Sequence, residues 1–191
     1  MEKNDLTPLG KCVLIGGSAG SLKVLMHILP ELEAIDFPII VILHRKNDSN
    51  SSLDQLLSYQ TSLPVKEAED KELMRNGMIY IAPADYHLLI EKDGLLSLDA
   101  SEKVLWSRPS IDVTFESAAD VFGSGALGIL LSGANNDGTY GLECIRRAGG
   151  LIAVQRPGNA EIPAMPMFAL EELQPDYILD DYAMAEMINR F

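Results

Sequence analysis

Residues 12–21 (CVLIGGSAGS) join an apolar run to a glycine-rich turn, and this stretch decides the fold. The apolar residues leading into Gly16 and Gly17 predict a buried β-strand that ends at this turn. Leu22, Leu25, Met26 and Leu29 then recur at helical spacing, which predicts a helix directly after it. A strand, a tight turn and a helix form the first part of a βαβ unit, so a parallel sheet is expected.

The same alternation of short apolar runs and amphipathic segments continues along the chain. Further strands are predicted at 38–43, 78–82, 127–131, 151–154 and 177–179. Asp93-Gly94 separates two alternating runs and predicts an antiparallel hairpin. We therefore expect one α/β domain over residues 1–191, with residues 1–10 a flexible N-terminus. Its core is a doubly wound, mainly parallel sheet with helices on both faces and an antiparallel β-hairpin.

Composition excludes several classes of function. With 15 Lys and Arg against 28 Asp and Glu, the net charge of −13 argues against nucleic acid and anionic lipid as partners. Cys12 and Cys144 lack CxxC spacing and are expected to be small buried residues, so no metal site is predicted. The chain starts without a signal peptide pattern, and no apolar run reaches the roughly 18 residues that a membrane span needs. A cytoplasmic protein without membrane insertion is expected.

Three polar residues come after predicted strands. Ser18 and His44 directly follow theirs, and Asp137 comes a few residues later in the sequence than the end of the strand at 127–131. Ligands of doubly wound sheets bind outside the carboxyl ends of the strands. Serine, histidine and aspartate can act there as nucleophile, base and orienting acid in acyl transfer. Each also has a structural interpretation. Ser18 could cap the following helix, His44 could be a structural strand-end residue, and Asp137 could form a turn before Gly138.

A nucleotide site is the other function that a glycine-rich turn after a strand can indicate. Ser18 stands where the dinucleotide fingerprint needs its second glycine, and the second strand ends in His44 instead of an acidic residue. A Walker A Gly-Lys-Ser/Thr sequence is absent as well. Both nucleotide interpretations are disfavoured.

Several segments carry a resemblance to a known family: Gly16 to Gly20, Ile42-Leu43-His44, residues 65–70, Ile81-Ala82-Pro83 with His87, residues 108–113, 131–138, Ala148-Gly149-Gly150 and Met165-Pro166. In order and spacing they resemble the catalytic domain of the CheB methylesterases. The resemblance implies a Ser18-His44-Asp137 triad and hydrolysis of γ-glutamyl methyl esters on cytoplasmic helices of chemoreceptors, without metal or organic cofactor. Some members also deamidate glutamine.

On this mechanism the oxyanion donors are expected to be backbone N–H groups near Ala19 and in the Ala134-Asn135 loop. The sequence departs from the family at these positions, where Ala19 replaces a threonine and Ala134-Asn135 replaces Met-Gly. Ser107 replaces a histidine, and Arg45 replaces a methionine. Arg45 and Arg108, with Lys46, are expected to help dock a protein substrate despite the acidic net charge.

The family's usual receiver domain is not present in this sequence, so a stand-alone enzyme is expected, with a response regulator acting in trans as a possible partner. The departures around Ser18 leave two alternatives open. One is a regulatory or binding module that kept the fold with weakened chemistry, and the other is a small-molecule esterase. Of the remaining histidines, His27 is predicted to be a surface or packing residue and His87 to lie near the site only because of the fold.

Overall fold

A computed structural model describes residues 10–46 and 52–191. Of the predicted flexible N-terminus, residues 1–9 lie outside this part of the chain. The strands are β1 (Cys12–Gly17), β2 (Ile39–Leu43), β3 (Val65–Glu67), β4 (Glu72–Leu73), β5 (Ile79–Ile81), β6 (His87–Ile90), β7 (Leu95–Asp99), β8 (Ala126–Leu130), β9 (Leu151–Gln155) and β10 (Tyr177–Leu179). The α-helices are α1 (Ser21–Ile28), α2 (Leu53–Ser58), α3 (Ile111–Phe122), α4 (Thr139–Arg147), α5 (Ala164–Glu172) and α6 (Asp181–Arg190).

Seven strands form the main sheet, in the order β10-β9-β8-β1-β2-β5-β3. Every pairing in it is parallel. Because β1 lies between β2 and β8, the chain builds outward first on one side of β1 and then on the other. This confirms the doubly wound topology, and it places the point where the strand order reverses at the carboxyl ends of β1 and β8.

Helices cover both faces of the sheet because alternate residues of each central strand point to opposite sides. Leu14 and Ile40 pack on one face, in the same core cluster as residues of α3, α4 and α5. Val13 and Ile39 belong to the second cluster, together with residues of α1, α2 and α6. Strand β1 is completely buried as a result, which accounts for its continuous apolar sequence.

The predicted hairpin is confirmed as β6 and β7, but it belongs to a three-stranded antiparallel sheet in the order β4-β7-β6. Strand β4 pairs with β7 through only Glu72 and Leu73, too short to leave a periodic pattern in the sequence. The sequence pattern does not predict strand β3 or helix α5 either. Val65-Lys66-Glu67 is a short, half-buried strand at the edge of the main sheet, so its sequence carries little apolar signal.

The prediction that both cysteines are buried is half wrong. Cys12 is buried in β1, but Cys144 lies on α4 and is partly exposed. Within residues 10–46 and 52–191, no helix is long and apolar enough to cross a membrane. In the same residues no group of three or more His, Cys, Asp and Glu side chains is arranged to hold a metal ion.

Candidate active site

Ser18 lies at the carboxyl end of β1, in the turn that leads to α1. Its backbone N–H donates to the carbonyl of Ser132, 2.8 Å away, which ties the turn to the loop after β8. Gly20 is the N-cap of α1 with φ +85°, and no side chain caps this helix. The alternative that Ser18 caps the helix is therefore wrong, because its half-buried hydroxyl makes no capping hydrogen bond.

A glycine is required at position 20 for two reasons. A positive φ is unfavourable for residues with a Cβ. A Cβ at Gly20 would also lie 2.6 Å from Glu161 Cβ and 2.7 Å from Ser132 Oγ. The close packing of these three residues fixes the path of the turn that carries Ser18.

His44 follows β2 and lies beside Ser18. Gly17 of β1 is paired in register with Leu43 of β2, so Ser18 and His44 are the next residues of two adjacent parallel strands. The backbone N–H of His44 donates to the Gly17 carbonyl over 3.1 Å, which extends this pairing. The imidazole Nε2 lies 2.7 Å from Asp137 Oδ2, and Nδ1 lies 3.3 Å from Ser107 Oγ.

The carboxylate of Asp137 is fully buried and accepts four hydrogen bonds. Its Oδ2 accepts from His44 and from the backbone N–H of Ile111 at 2.8 Å. Its Oδ1 accepts from Ser110 Oγ at 2.9 Å and from the backbone N–H of Asp112 at 3.0 Å. Burial by itself would raise the pKa of Asp137, but the bonds from His44, Asp112 and Ile111 outweigh it and lower the pKa.

Helix α3 provides this anchor because it begins directly beneath Asp137. Ser110 is its N-cap, and the backbone N–H groups of Ile111 and Asp112 belong to its first turn. These N–H groups have no partner within the helix, and the helix N-terminus carries partial positive charge, so a carboxylate is stabilised there. Asp137 does not cap its own helix, because the N-cap of α4 is Gly138. The simple turn or cap interpretation of Asp137 therefore does not account for its contacts.

Asp112 makes the reciprocal contact from α3 to the start of α4. Its Oδ1 accepts from the backbone N–H groups of Gly138 at 2.9 Å and Gly141 at 2.7 Å. Burial and the negative charge of Asp137 raise the pKa of Asp112 to about 7, against the opposing effect of these two hydrogen bonds. Asp112 and Asp137 thus clamp α3 to the loop after β8.

The raised pKa of Asp112 predicts a pH dependence of stability. Between the ordinary carboxyl pKa of about 3.9 and the folded value of about 7, the folded state binds a proton that the unfolded state has released. The contribution of Asp112 to the free energy of unfolding therefore falls as pH rises through this window. We expect Asp112→Asn, which keeps the oxygen acceptor, to become more stable relative to wild type at pH 8 than at pH 5.

Urea unfolding at the two pH values measures this change. Asp120→Asn, on the exposed face of the same helix, is the matched control and should show the smaller pH-dependent difference. Equal differences for the two variants would contradict the assignment to Asp112.

The structure brings Asp137 and His44 into contact, but Ser18 Oγ makes no hydrogen bond to the imidazole. Among the described residues, the hydroxyl bonded to Nδ1 is that of Ser107. In the sequence, Ser107 is recognisable only as a departure from the family. Its contact with His44 depends on how the segment between β7 and α3 folds back over the sheet, and no local pattern indicates this.

The expected oxyanion donors belong to the turn that carries Ser18 and to the loop after β8. The backbone N–H groups of Ala19, Ala134 and Asn135 donate to no other described residue, whereas that of Gly133 is bonded to the Ile162 carbonyl at 3.0 Å. Ala19 and Ala134 are exposed residues, and Asn135 is half-buried. Gly133 is covered by Met165, since a Cβ there would lie 2.5 Å from Met165 Cε and 3.0 Å from Ser18 Cβ.

The two predicted docking residues lie beside His44 and are partly buried. Arg45 pairs with Glu67. Arg108 Nη1 donates to the carbonyls of Ala100 at 2.6 Å and Ser101 at 2.5 Å. Together with His44 they line one surface pocket of about 510 Å³.

The other histidines have structural contacts. His27 on α1 bonds Asp181 Oδ2 over 2.9 Å at the surface, which confirms the prediction. His87 is buried, with Nε2 2.9 Å from the Glu102 carbonyl and Nδ1 accepting from the backbone N–H of Ser110 at 3.1 Å. It therefore lies near the site, as expected, and holds the residue that caps α3 without contacting His44.

Comparison with known proteins gives one family. The model of the CheB methylesterase family matches residues 13–188. A putative protein-glutamate methylesterase/protein-glutamine glutaminase of Leptospira interrogans is 42% identical over 181 residues, which cover 94% of each chain. The protein-glutamate methylesterase/protein-glutamine glutaminase of Thermotoga maritima is 34% identical, and the match covers 94% of this chain but 53% of that protein.

A solved structure extends the comparison. The crystal structure of the Thermotoga maritima CheB methylesterase catalytic domain matches with a TM-score of 0.91 and 34% identity, over 95% of this chain and 98% of that one. The chain therefore belongs to the CheB methylesterase family.

Proposed function

We propose that this chain is a protein-glutamate methylesterase that hydrolyses γ-glutamyl methyl esters through Ser18, His44 and Asp137. The observation that carries the proposal is the buried carboxylate of Asp137, bonded to His44 at 2.7 Å at the strand end next to Ser18. A buried acid that holds an imidazole beside a serine is the arrangement that activates a hydroxyl for attack on a carbonyl.

The contacts of His44 define which nitrogen acts as the base. Asp137 is charged and can only accept hydrogen bonds, so the imidazole proton resides on Nε2 and points at Oδ2. This leaves Nδ1 as the acceptor that takes the proton of Ser18. In the resting state Ser107 donates to Nδ1, so this bond must break before Ser18 is activated.

The reaction has two halves. Ser18 Oγ attacks the ester carbonyl while Nδ1 takes its proton, and the imidazolium then protonates the departing methoxide so that methanol leaves. Water next attacks the glutamyl-serine ester, His44 again acting as base, which frees the glutamate and restores Ser18. The N–H groups of Ala19, Ala134 and Asn135, which donate to no described residue, are the proposed donors to the oxyanion in both halves. Deamidation of glutamine follows the same course with ammonia as leaving group.

The proposed substrate is a helix of a methylated chemoreceptor or similar protein, in the cytoplasm, and a response regulator acting in trans is the proposed regulatory partner. The Leptospira interrogans relative, which this chain matches over 94% of its length, supports the substrate class by its name. No cofactor is part of the proposed mechanism.

Methanol release from a helical peptide that contains γ-methyl glutamate tests the proposal. We expect release that is stoichiometric with the loss of the methyl group, measured by mass spectrometry. A fluorophosphonate probe should label the folded protein on the peptide that contains Ser18. Labelling without methanol release would favour the small-molecule esterase, and a folded protein with neither activity would favour the binding module. Either result would contradict the methylesterase assignment.

A further inference from the structure

One pocket beside the proposed site concentrates positive charge. It is lined by His44, Arg45, Lys46, Asp85, Lys103, Trp106, Ser107 and Arg108. Four of these residues are Lys or Arg and only Asp85 is acidic, on a chain whose net charge is −13. A local excess of cations against the overall charge creates a positive field at one place on the surface.

The two arginines of this pocket are engaged within the chain, Arg45 by Glu67 and Arg108 by the carbonyls of Ala100 and Ser101. Nε of Arg45 and Nε of Arg108 are buried and donate to no described residue. Glu67 neutralises only Arg45, while Lys46 and Lys103 are exposed and form no ion pair among the described residues. The exposed ammonium groups of Lys46 and Lys103 can therefore pair with carboxylates from outside the chain.

A strained turn projects from the same pocket. Val104 and Ser107 pair through two backbone hydrogen bonds of 3.1 and 2.9 Å, which closes a tight turn. Its central residues, Leu105 and Trp106, have φ of +47° and +67°. Two positive φ angles in succession favour Asn or Gly, and a leucine and a tryptophan there cost free energy.

The turn nevertheless exposes both of these side chains. Trp106 is 94% exposed and Leu105 39% exposed. Neither the strain nor the exposure serves the packing of this chain. Tryptophan is one of the residue types enriched among the residues that carry most of the binding energy of protein interfaces.

We propose that this turn and the cationic pocket dock an acidic segment of the substrate protein, with carboxylates next to the methylated glutamate and an apolar side chain that packs on Trp106. The inference rests on the proposed methylesterase function and defines its substrate class. Because Ser107 ends the turn and is bonded to His44 Nδ1, the docked segment lies directly beside the proposed base. A substrate segment that contacts the turn therefore also places its methyl ester next to His44.

Two helical peptides test the docking surface, each with one γ-methyl glutamate and one leucine. One has glutamates around the ester and the other has glutamines. We expect kcat/KM for methanol release to favour the glutamate peptide by about tenfold at low salt, at roughly twofold to fivefold per charge. The preference should shrink toward one at 1 M salt, where the screening length is about 3 Å.

Charge reversal at one lysine localises the effect. Lys103→Glu should lower the preference for the glutamate peptide about fivefold or more, through KM. Lys92→Glu makes the same charge change in the β6–β7 turn, outside the pocket, and should leave the preference unchanged. Trp106→Gly should raise KM for both peptides while the melting temperature stays equal or rises, because glycine relieves the positive φ.

These measurements separate the two proposals. Equal rates for the two peptides, or equal effects of Lys103→Glu and Lys92→Glu, would overturn the docking surface and leave the methylesterase function standing. Methanol release from neither peptide would contradict the methylesterase function and remove the docking surface with it. A fall in melting temperature with Trp106→Gly would show that Trp106 stabilises the fold, and it would overturn the proposed role of Trp106 in binding the substrate.

Discussion

Ser18→Ala is expected to lower the rate of methyl ester hydrolysis by about four to six orders of magnitude, the loss typical of a serine hydrolase without its nucleophile. The fold should be unaffected, because the hydrogen bonds of Ser18 to other described residues run through its backbone and alanine keeps the Cβ. Its N–H donates to Ser132, and its carbonyl accepts from the N–H and the hydroxyl of Ser21. Initial rates of methanol release and thermal unfolding together measure the two properties.

Ser107→Ala is the decisive companion variant, since Ser107 is the hydroxyl bonded to His44 Nδ1 in this structure. Its position does not fit a nucleophile. It ends a strained surface turn, whereas Ser18 directly precedes Ala19, whose N–H donates to no residue in the described part of the chain. We expect Ser107→Ala to change the rate less than about tenfold. Loss of activity in Ser107→Ala with retention in Ser18→Ala would exchange their roles.

The relation between Ser18 and His44 could be predicted from the sequence for a physical reason. Both residues come directly after uninterrupted apolar strands, and parallel neighbours present their carboxyl ends at the same edge of a sheet. The strand before Asp137 is equally clear, although Asp137 itself lies farther along the loop. The positions of the three residues after predicted strands are therefore enough to predict that they lie at one edge of the sheet.

The anchor of Asp137 could not be predicted in the same way. It comes from the first turn of α3, which belongs to another part of the chain and reaches the site only because α3 packs on the sheet. Serine is a residue type that commonly caps helices, and the structure shows Ser110 as the N-cap of α3. Which loop its hydroxyl contacts depends on the tertiary packing. The same holds for Asp112 and for the contact of Ser107 with His44.

Asp137→Ala should damage activity and stability together. The substitution leaves the imidazole of His44 without its orienting acid. It also leaves three buried hydrogen-bond donors without an acceptor: Ser110 Oγ and the backbone N–H groups of Ile111 and Asp112. Loss of one partner from a buried charged network costs about 3–5 kcal/mol of unfolding free energy. Loss of the triad acid lowers the rate about 10⁴-fold. Urea unfolding and methanol release measure the two effects on one preparation.

Asp137→Asn separates the effect on stability from the effect on rate, because it keeps the shape of the side chain and removes the charge. One amide oxygen can still accept from His44 or from α3, but the amide NH₂ must face groups that now face a carboxylate oxygen. We expect a smaller loss of stability than in Asp137→Ala, with a rate loss that remains near 10⁴-fold, since the neutral amide neither stabilises the imidazolium nor fixes its tautomer. If Asp137→Asn instead kept its rate within about tenfold of wild type, Asp137 would be an anchor for α3 and no part of the catalytic machinery.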